Sequence, residues 1–199
     1  MKSPLIVLGS ESPRRQQLLQ ALGLAFTVEK PTAEEEGACA KTIDEMTCRN
    51  AMKKARSITS RLTDPRSIII GADTLVVKGD EALGKPKDYE AALTMLRKLS
   101  GQTHEVVTGL ALLSPVFGSR QCAVRTQVTF RLLSDRELES YATTREPYDK
   151  AGAYGAQGLG MLFISEIKGS YTNVVGLPLE KLLTELEALT KIPIYQWFR

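Results

Sequence analysis

The 199-residue sequence has little of the equipment on which several common chemistries depend: one histidine, one tryptophan and three cysteines. With His104 alone, and no serine on a G-x-S-x-G turn, triad hydrolysis has little support, and a strand-start histidine is expected to be structural. Cys39, Cys48 and Cys122 are odd in number and lack C-x-x-C spacing. That argues against a disulfide framework or a zinc site and fits three inert small side chains in a reducing compartment. No apolar run approaches the ~20 residues of a membrane span. The N-terminus shows no charged-then-apolar leader pattern, so a cytoplasmic location is expected. A formal charge of +3, from 26 basic and 23 acidic residues, is too small to argue for nucleic-acid binding. Neither membrane nor nucleic acid is an expected partner. The phosphate-binding fingerprints G-x-x-x-x-G-K-[ST] and G-x-G-x-x-G are missing too.

What is there is an ordinary globular composition, 43% hydrophobic and 25% charged, enough for one domain spanning residues 1–199. Leu5 to Leu8 reads as a buried strand running through Gly9 into Ser12-Pro13, a helix start; Leu18, Leu19 and Leu22 share one face and Gly23 stops the helix. Thr42 with Glu45 opens a second helix, fading near Arg61. Ser67 to Val77 reads as a strand turned back by Lys78 to Glu81. A helix starts at Asp88, with Leu93, Leu96 and Leu99 on one face. His104 to Leu113 and Ala123 to Leu133 resemble an antiparallel pair. Ser134 and Glu137 form a capping box, Met161 to Ile167 reads as a strand, and a last helix follows Pro178. The fold class is α/β or α+β with a mixed sheet.

Several constellations could carry chemistry. Arg14 and Arg15 occupy a first helical turn, where the macrodipole favours acids. Either an anion binds there, near Ser10, or both arginines are solvated. Asp73, in Gly71-Ala72-Asp73-Thr74, sits in an apolar strand, so its carboxylate must be solvated, paired or bound to a metal. Lys54 and Lys85, the latter in Gly84-Lys85-Pro86, read either as surface charges or as phosphate contacts. The acidic run Glu34-Glu35-Glu36 reads as a solvated loop or a carboxylate source for a metal. Asp149 to Gly158, with three glycines plus Asp149, Lys150 and Gln157, suggests a loop that closely approaches a ligand.

Together, Leu8 to Arg15, Lys54-Ala55, Gly71 to Thr74, Gly84-Lys85-Pro86, Leu99 to His104, Asp149 to Gly158 and Val175 to Pro178 resemble the Maf family of nucleoside triphosphate pyrophosphatases, also described as septum formation inhibitor-like proteins. The pieces occur in the family's order and span nearly the whole chain. The resemblance implies a mixed α/β fold with an elongated central sheet and two lobes around a deep cleft, similar to inosine triphosphate pyrophosphatases. It implies hydrolysis between the α- and β-phosphates, with a divalent metal, Mg2+ or Mn2+. Asp73 matches the family's proposed base, and Glu34 or Glu35 carries its loop acid; these acids would hold the metal. Lys54 and Lys85 match lysines that face the phosphates, and Ser10 and Arg15 sit in the phosphate loop. The dTTP/UTP branch looks like Arg14, Thr74 and Gln157 at its specificity positions. The branch acting on 7-methyl-GTP reads Gly-Ser-Asp-Gln at the strand and lacks the Asp149-Lys150-Ala151-Gly152-Ala153-Tyr154 run. Gly9 stands where alanine is usual and Ala156 where isoleucine is; Ala156 would loosen the base pocket and relax the pyrimidine preference. The alternative from another class is a nucleotide- or nucleic-acid-binding regulator of division without essential catalysis. The oligomeric state stays open, a homodimer included.

Overall fold

The structure, a computed structural model, describes residues 4–33 and 42–198. Glu34, Glu35 and Cys39 therefore lie outside the described residues. Among the described residues, seven strands form one mixed sheet in the order β2-β1-β3-β5-β6-β7, with β4 paired to β3. The strands are β1 (Ile6–Leu8), β2 (Phe26–Val28), β3 (Ile68–Lys78), β4 (Glu81–Leu83), β5 (Thr103–Ser114), β6 (Gly118–Phe130) and β7 (Ile164–Lys168). The principal helices are α1 (Pro13–Ala21), α2 (Ile43–Arg56), α3 (Tyr89–Leu99), α4 (Asp135–Ala142), α5 (Tyr171–Val175) and α6 (Leu179–Thr190). By internal contacts the chain divides into two units: Met1–Asp73 with Thr108–Val124 and Gly176–Arg199, and Thr74–Val107 with Arg125–Val175.

In the first unit, β1 runs parallel to both β2 and β3, with Leu8 opposite Val28 and Ile70. Ile6, Val7, Leu8, Ile68, Ile69 and Ile70 are all buried, which explains why both segments read as unbroken apolar runs. Helix α2 comes unusually close to the sheet. A β-carbon on Gly71 would stand 2.1 Å from the Ala51 carbonyl oxygen, and one on Gly109 would stand 2.2 Å from the Thr47 carbonyl carbon. Only hydrogen fits at these two strand positions, so the pair of glycines sets the height of α2 above β3 and β5. Of the capping box that Thr42 and Glu45 suggest for α2, the Thr42 half forms: its hydroxyl accepts from the Glu45 N–H at 3.2 Å. Glu185 on α6 is buried yet paired, to Lys181 at 2.9 Å and to Arg120. Burial alone would raise its pKa, but the bonds from Lys181 and Arg120 bring it below the usual range. Burial also pushes the Cys48 thiol up to about 11, as expected of an inert cysteine.

In the second unit, α3 and α4 pack Leu93, Leu96, Leu99, Leu138 and Tyr141 into a core with Val106, Phe130, Tyr154 and Phe163. Asp88 caps α3 through the Ala91 N–H, and Ser134 with Glu137 forms the full reciprocal capping box on α4. His104 is a core residue. Its Nε2 lies 2.7 Å from the Tyr154 hydroxyl, and its ring meets Phe130 and Tyr154 edge-on.

Several elements differ from the sequence reading; α2, expected to fade near Arg61, ends at Arg56, and β6, expected to reach Leu133, ends at Phe130. Strand β6 starts at Gly118, five residues before Ala123, because only three residues separate it from its sheet neighbour β5 and the hairpin stays paired to its turn. The strand expected over 161–167 is replaced at its start by a 3-10 turn, Leu159–Phe163, and pairs only from Ile164. There the Leu159 and Gly160 N–H groups go to the Glu146 carboxylate, and the Leu162 carbonyl to Arg131. Leu159 and Gly160 precede the expected strand; within it the Leu162 carbonyl goes to the Arg131 side chain, and backbone bonding toward β6 begins at the Phe163 carbonyl, which accepts from the Arg131 N–H at 2.9 Å. Strand β2 and helix α5 carry too few residues to show a period. α5 is started by Ser170, whose hydroxyl accepts from the Asn173 N–H at 3.1 Å.

Candidate active site

The residues singled out in the sequence divide between the two units. Ser10, Arg14, Arg15, Lys54 and Asp73 belong to the first; Thr74, Lys85, Asp149, Lys150 and Gln157 belong to the second.

Asp73 is the centre of the first group. It lies within β3 and is 4% exposed. Of the alternatives the sequence left open, the side chain is paired. Lys54 Nζ stands 2.6 Å from Oδ1, and Asn50 Nδ2 donates to Oδ2 at 3.1 Å. Asn50 and Lys54 are i and i+4 on α2 and so share one face. On the same helix Ala51 and Ala55 lie against Gly71, and that contact brings both polar side chains to the strand. A carboxylate so buried is tolerable because charge and hydrogen bond are both supplied. Asn50 is the residue the sequence reading missed. The only signal was its position one helical turn before Lys54.

The loop after β1 is equally organised. The Gly9 N–H donates to the Ile70 carbonyl at 2.8 Å, continuing the parallel ladder by one bond. Extending the Leu8–Ile70 register by two residues sets Ser10 level with Ala72, immediately before Asp73. The absent methyl at Gly9 has its own explanation: a β-carbon there would lie 2.8 Å from Ile58 Cδ1. Ser10 is buried, and its Oγ accepts from the Ser12 N–H at 3.2 Å and from Arg15 Nη1 at 3.1 Å. A hydroxyl has two acceptor sites and one donor, so what remains to Ser10 is donation, which suits a phosphate oxygen. Ser12 occupies the cap position of α1, but its side chain makes no capping bond, and no acid stands in the first turn. Arg15 also donates from Nε to the Gly176 carbonyl at 2.7 Å. The guanidinium is therefore fixed between the loop and the chain just before α6. Arg14 is half-buried in the same turn.

In the second unit Thr74 is half-buried and Lys85 is exposed, just beyond β4. The Lys85 turn is tied to the glycine-rich loop, because the Gly152 N–H donates to the Gly84 carbonyl at 3.0 Å. Gly152 has φ of 68°, and a β-carbon there would sit 2.9 Å from the Val76 side chain, so no other residue fits. Lys150 is largely buried and donates to Asp149 Oδ1 at 2.6 Å and to the Glu146 carbonyl at 2.7 Å. Ala156 is buried and Gln157 is half-exposed beside it.

As to a metal, Asp73 is a hard oxygen donor. Each of its oxygens can accept beyond the one bond drawn above, which fits an oxygen-seeking divalent cation. Among the described residues no group of three acidic, histidine or cysteine side chains gathers. Glu34 and Glu35, the other acids expected, lie outside the described residues. No helix among those residues is long and apolar enough to cross a membrane.

A family model described as Maf-like protein matches residues 5–189. The dTTP/UTP pyrophosphatase of Syntrophotalea carbinolica is 44% identical over 191 residues, covering 96% of this chain and 87% of that protein. The dTTP/UTP pyrophosphatase of Escherichia coli O157:H7 is 45% identical over 190 residues, covering 92% and 94%. Among solved structures, a HAM1 protein from Coxiella burnetii aligns over 98% of this chain and 94% of that one, at 16% identity and a TM-score of 0.46.

Proposed function

This chain belongs to the Maf-like protein family, and from that premise we propose that it hydrolyses dTTP and UTP to the nucleoside monophosphate and pyrophosphate. The observation that carries the reading is the buried Asp73 carboxylate, held from both sides by Lys54 and Asn50 beside the loop of Ser10 and Arg15. The relatives' names supply the substrate class.

In this reading Asp73 orients and deprotonates the attacking water. Lys54 pairs with the carboxylate and, with Lys85, neutralises charge growing on the phosphates. Ser10 donates its hydroxyl to a phosphate oxygen, and Arg15 presents a guanidinium already held by Gly176. The side chains of Asp73, Lys54, Asn50, Ser10 and Arg15 are each held by bonds within the first unit, and positioning and electrostatics supply most of the catalysis in this reading. Asp73, with Glu34 or Glu35, would hold Mg2+ or Mn2+, which when bound draws charge off the phosphate oxygens. Arg14, Thr74 and Gln157 choose the base, with Asp149 and Lys150 shaping the loop beside it. A regulator without catalysis is not favoured, since the relatives are named as enzymes.

The test is pyrophosphate release from a panel of nucleoside triphosphates, methylated and halogenated pyrimidines included, with Mg2+, with Mn2+ and in excess chelator. Turnover of dTTP and UTP that needs the metal is expected. Activity confined to purines would overturn the substrate assignment, and undiminished turnover in chelator would overturn the metal.

A further inference from the structure

Glu146 does no work in the mechanism above, yet its side chain is among the most heavily bonded in the second unit. One carboxylate oxygen, Oε1, accepts from the Tyr141 hydroxyl at 3.0 Å and from the Gly160 N–H at 3.0 Å. The other, Oε2, accepts from the Leu159 N–H at 2.9 Å. Its backbone carbonyl accepts from Lys150 Nζ at 2.7 Å.

These bonds enclose a very short loop. At one end Gly155 leaves no room for a β-carbon, which would meet Lys150 Cε at 2.8 Å. At the other end a β-carbon on Gly160 would stand 2.5 Å from the Gly155 carbonyl oxygen, so the two ends touch. Between them Gly158 has φ of 82° and ψ of −152°, a region open in practice only to glycine, and a β-carbon there would lie 2.7 Å from Glu146 Oε2. Gln157 stands at the tip, directly before that glycine. The turn is held by the carboxylate beneath it, which accepts from the next two N–H groups.

We propose that Glu146 is a positioning residue for base selection: its carboxylate sets the backbone of the Gly155–Gly160 loop and so the reach of Gln157 to the substrate base. The proposal rests on the reading of Gln157 given above. It makes a sharp distinction between oxygens and charge. A glutamine at 146 has the same shape but one acceptor oxygen, so it can serve Tyr141 and Gly160 only by turning its NH2 group against the Leu159 N–H.

The experiment compares wild type, Glu146→Gln, Glu146→Ala and Gln157→Ala for kcat and KM on dTTP and on dGTP, with amide exchange of the full-length proteins followed at Leu159 and Gly160. Expected for Glu146→Gln is a rise in the KM for dTTP of about tenfold, the scale of one hydrogen bond to a charged group. The kcat is expected to stay near wild type, the dTTP preference over dGTP to fall as in Gln157→Ala, and exchange at Leu159 to quicken. Glu146→Ala should exceed Glu146→Gln in each. A Glu146→Gln enzyme with an unchanged dTTP-to-dGTP ratio, or one losing kcat equally on both, overturns the proposal while leaving the hydrolase reading intact. A wild type that turns over neither nucleotide overturns the hydrolase reading itself and the base-selection role with it; slow, unchanged exchange at Leu159 in Glu146→Gln overturns the carboxylate's hold on the loop whatever the activity.

Discussion

Lys54 and Asp73 meet at 2.6 Å from different elements, a helix and a strand, with both side chains almost wholly out of water. Asn50 completes the arrangement from one turn earlier on the same helix, at 3.1 Å from the second oxygen. A carboxylate in this setting cannot swing or choose partners freely. It is aimed, and the aim is set by the approach of α2 to β3.

Replacing Asp73 by asparagine preserves the shape and removes the charge. Pyrophosphate release from dTTP is expected to fall by about 10²–10³, the loss typical of one preorganised charged contact. The protein should also lose about 1–3 kcal/mol of stability, because Lys54 then faces a neutral amide in a buried site. Steady-state kinetics and urea unfolding of the variant check the two halves separately. Near wild-type turnover would remove Asp73 from the chemistry.

Asn50→Ala deletes the donor on the second oxygen and leaves the Lys54 pair in place. A cost of about 1–3 kcal/mol is expected for the buried oxygen that loses its partner. The kcat should drop by about tenfold with KM little changed if Asp73 is the base proposed above, because Asn50 donates to its carboxylate. A KM effect alone would show that Asn50 contacts the nucleotide instead.

Gly71→Ala tests the geometry that makes the site. Its methyl group would overlap the Ala51 carbonyl, 2.1 Å away, so α2 must lift or the strand must shift. Overpacking of this kind costs about 1–3 kcal/mol, and a backbone neighbour cannot rotate aside as a side chain would. Denaturant unfolding should show that loss, and activity should fall with it because Lys54 and Asn50 ride on the displaced helix. Full stability in this variant would contradict the close approach.

His104 gives a dependence on pH that is independent of catalysis. Burial first, and then the nearby Lys78 ammonium, push its imidazole down to about 4. As pH falls below about 6.5, the unfolded chain takes up a proton that the folded protein refuses. The folded state therefore loses stability progressively from about pH 6.5 to pH 4, by about 3 kcal/mol at the lower end. In His104→Gln this component disappears: the variant is less stable at pH 7, but its unfolding free energy declines less between pH 7 and pH 4.5. Parallel declines in the two proteins would show that other groups carry the acid sensitivity.

Much of this was legible in the chain itself. Strands β1 and β3 announced themselves as apolar runs because both their faces are covered, and helix starts at Thr42, Asp88 and Ser134 were marked by side chains that do accept the expected N–H groups. Asp73 stood out because an acid within an apolar strand must find a partner. These are local matters: period, capping and the cost of burying charge act within a few residues, so they can be read in order along the sequence.

The partners could not be read that way. That Asp73 is answered by Asn50 and Lys54, 23 and 19 positions away, depends on α2 settling against Gly71 and Gly109. That Arg15 is fixed by a carbonyl 161 positions later depends on where α5 ends. The strand expected over 161–167 gave way at its start to a 3-10 turn, in which the Leu162 carbonyl goes to the Arg131 side chain rather than to a neighbouring strand. The sequence by itself determined which residues needed a partner and which stretches could be buried. Only the tertiary structure decided which partner each received, because that choice is made by distances of a few tenths of an ångström between elements remote along the chain.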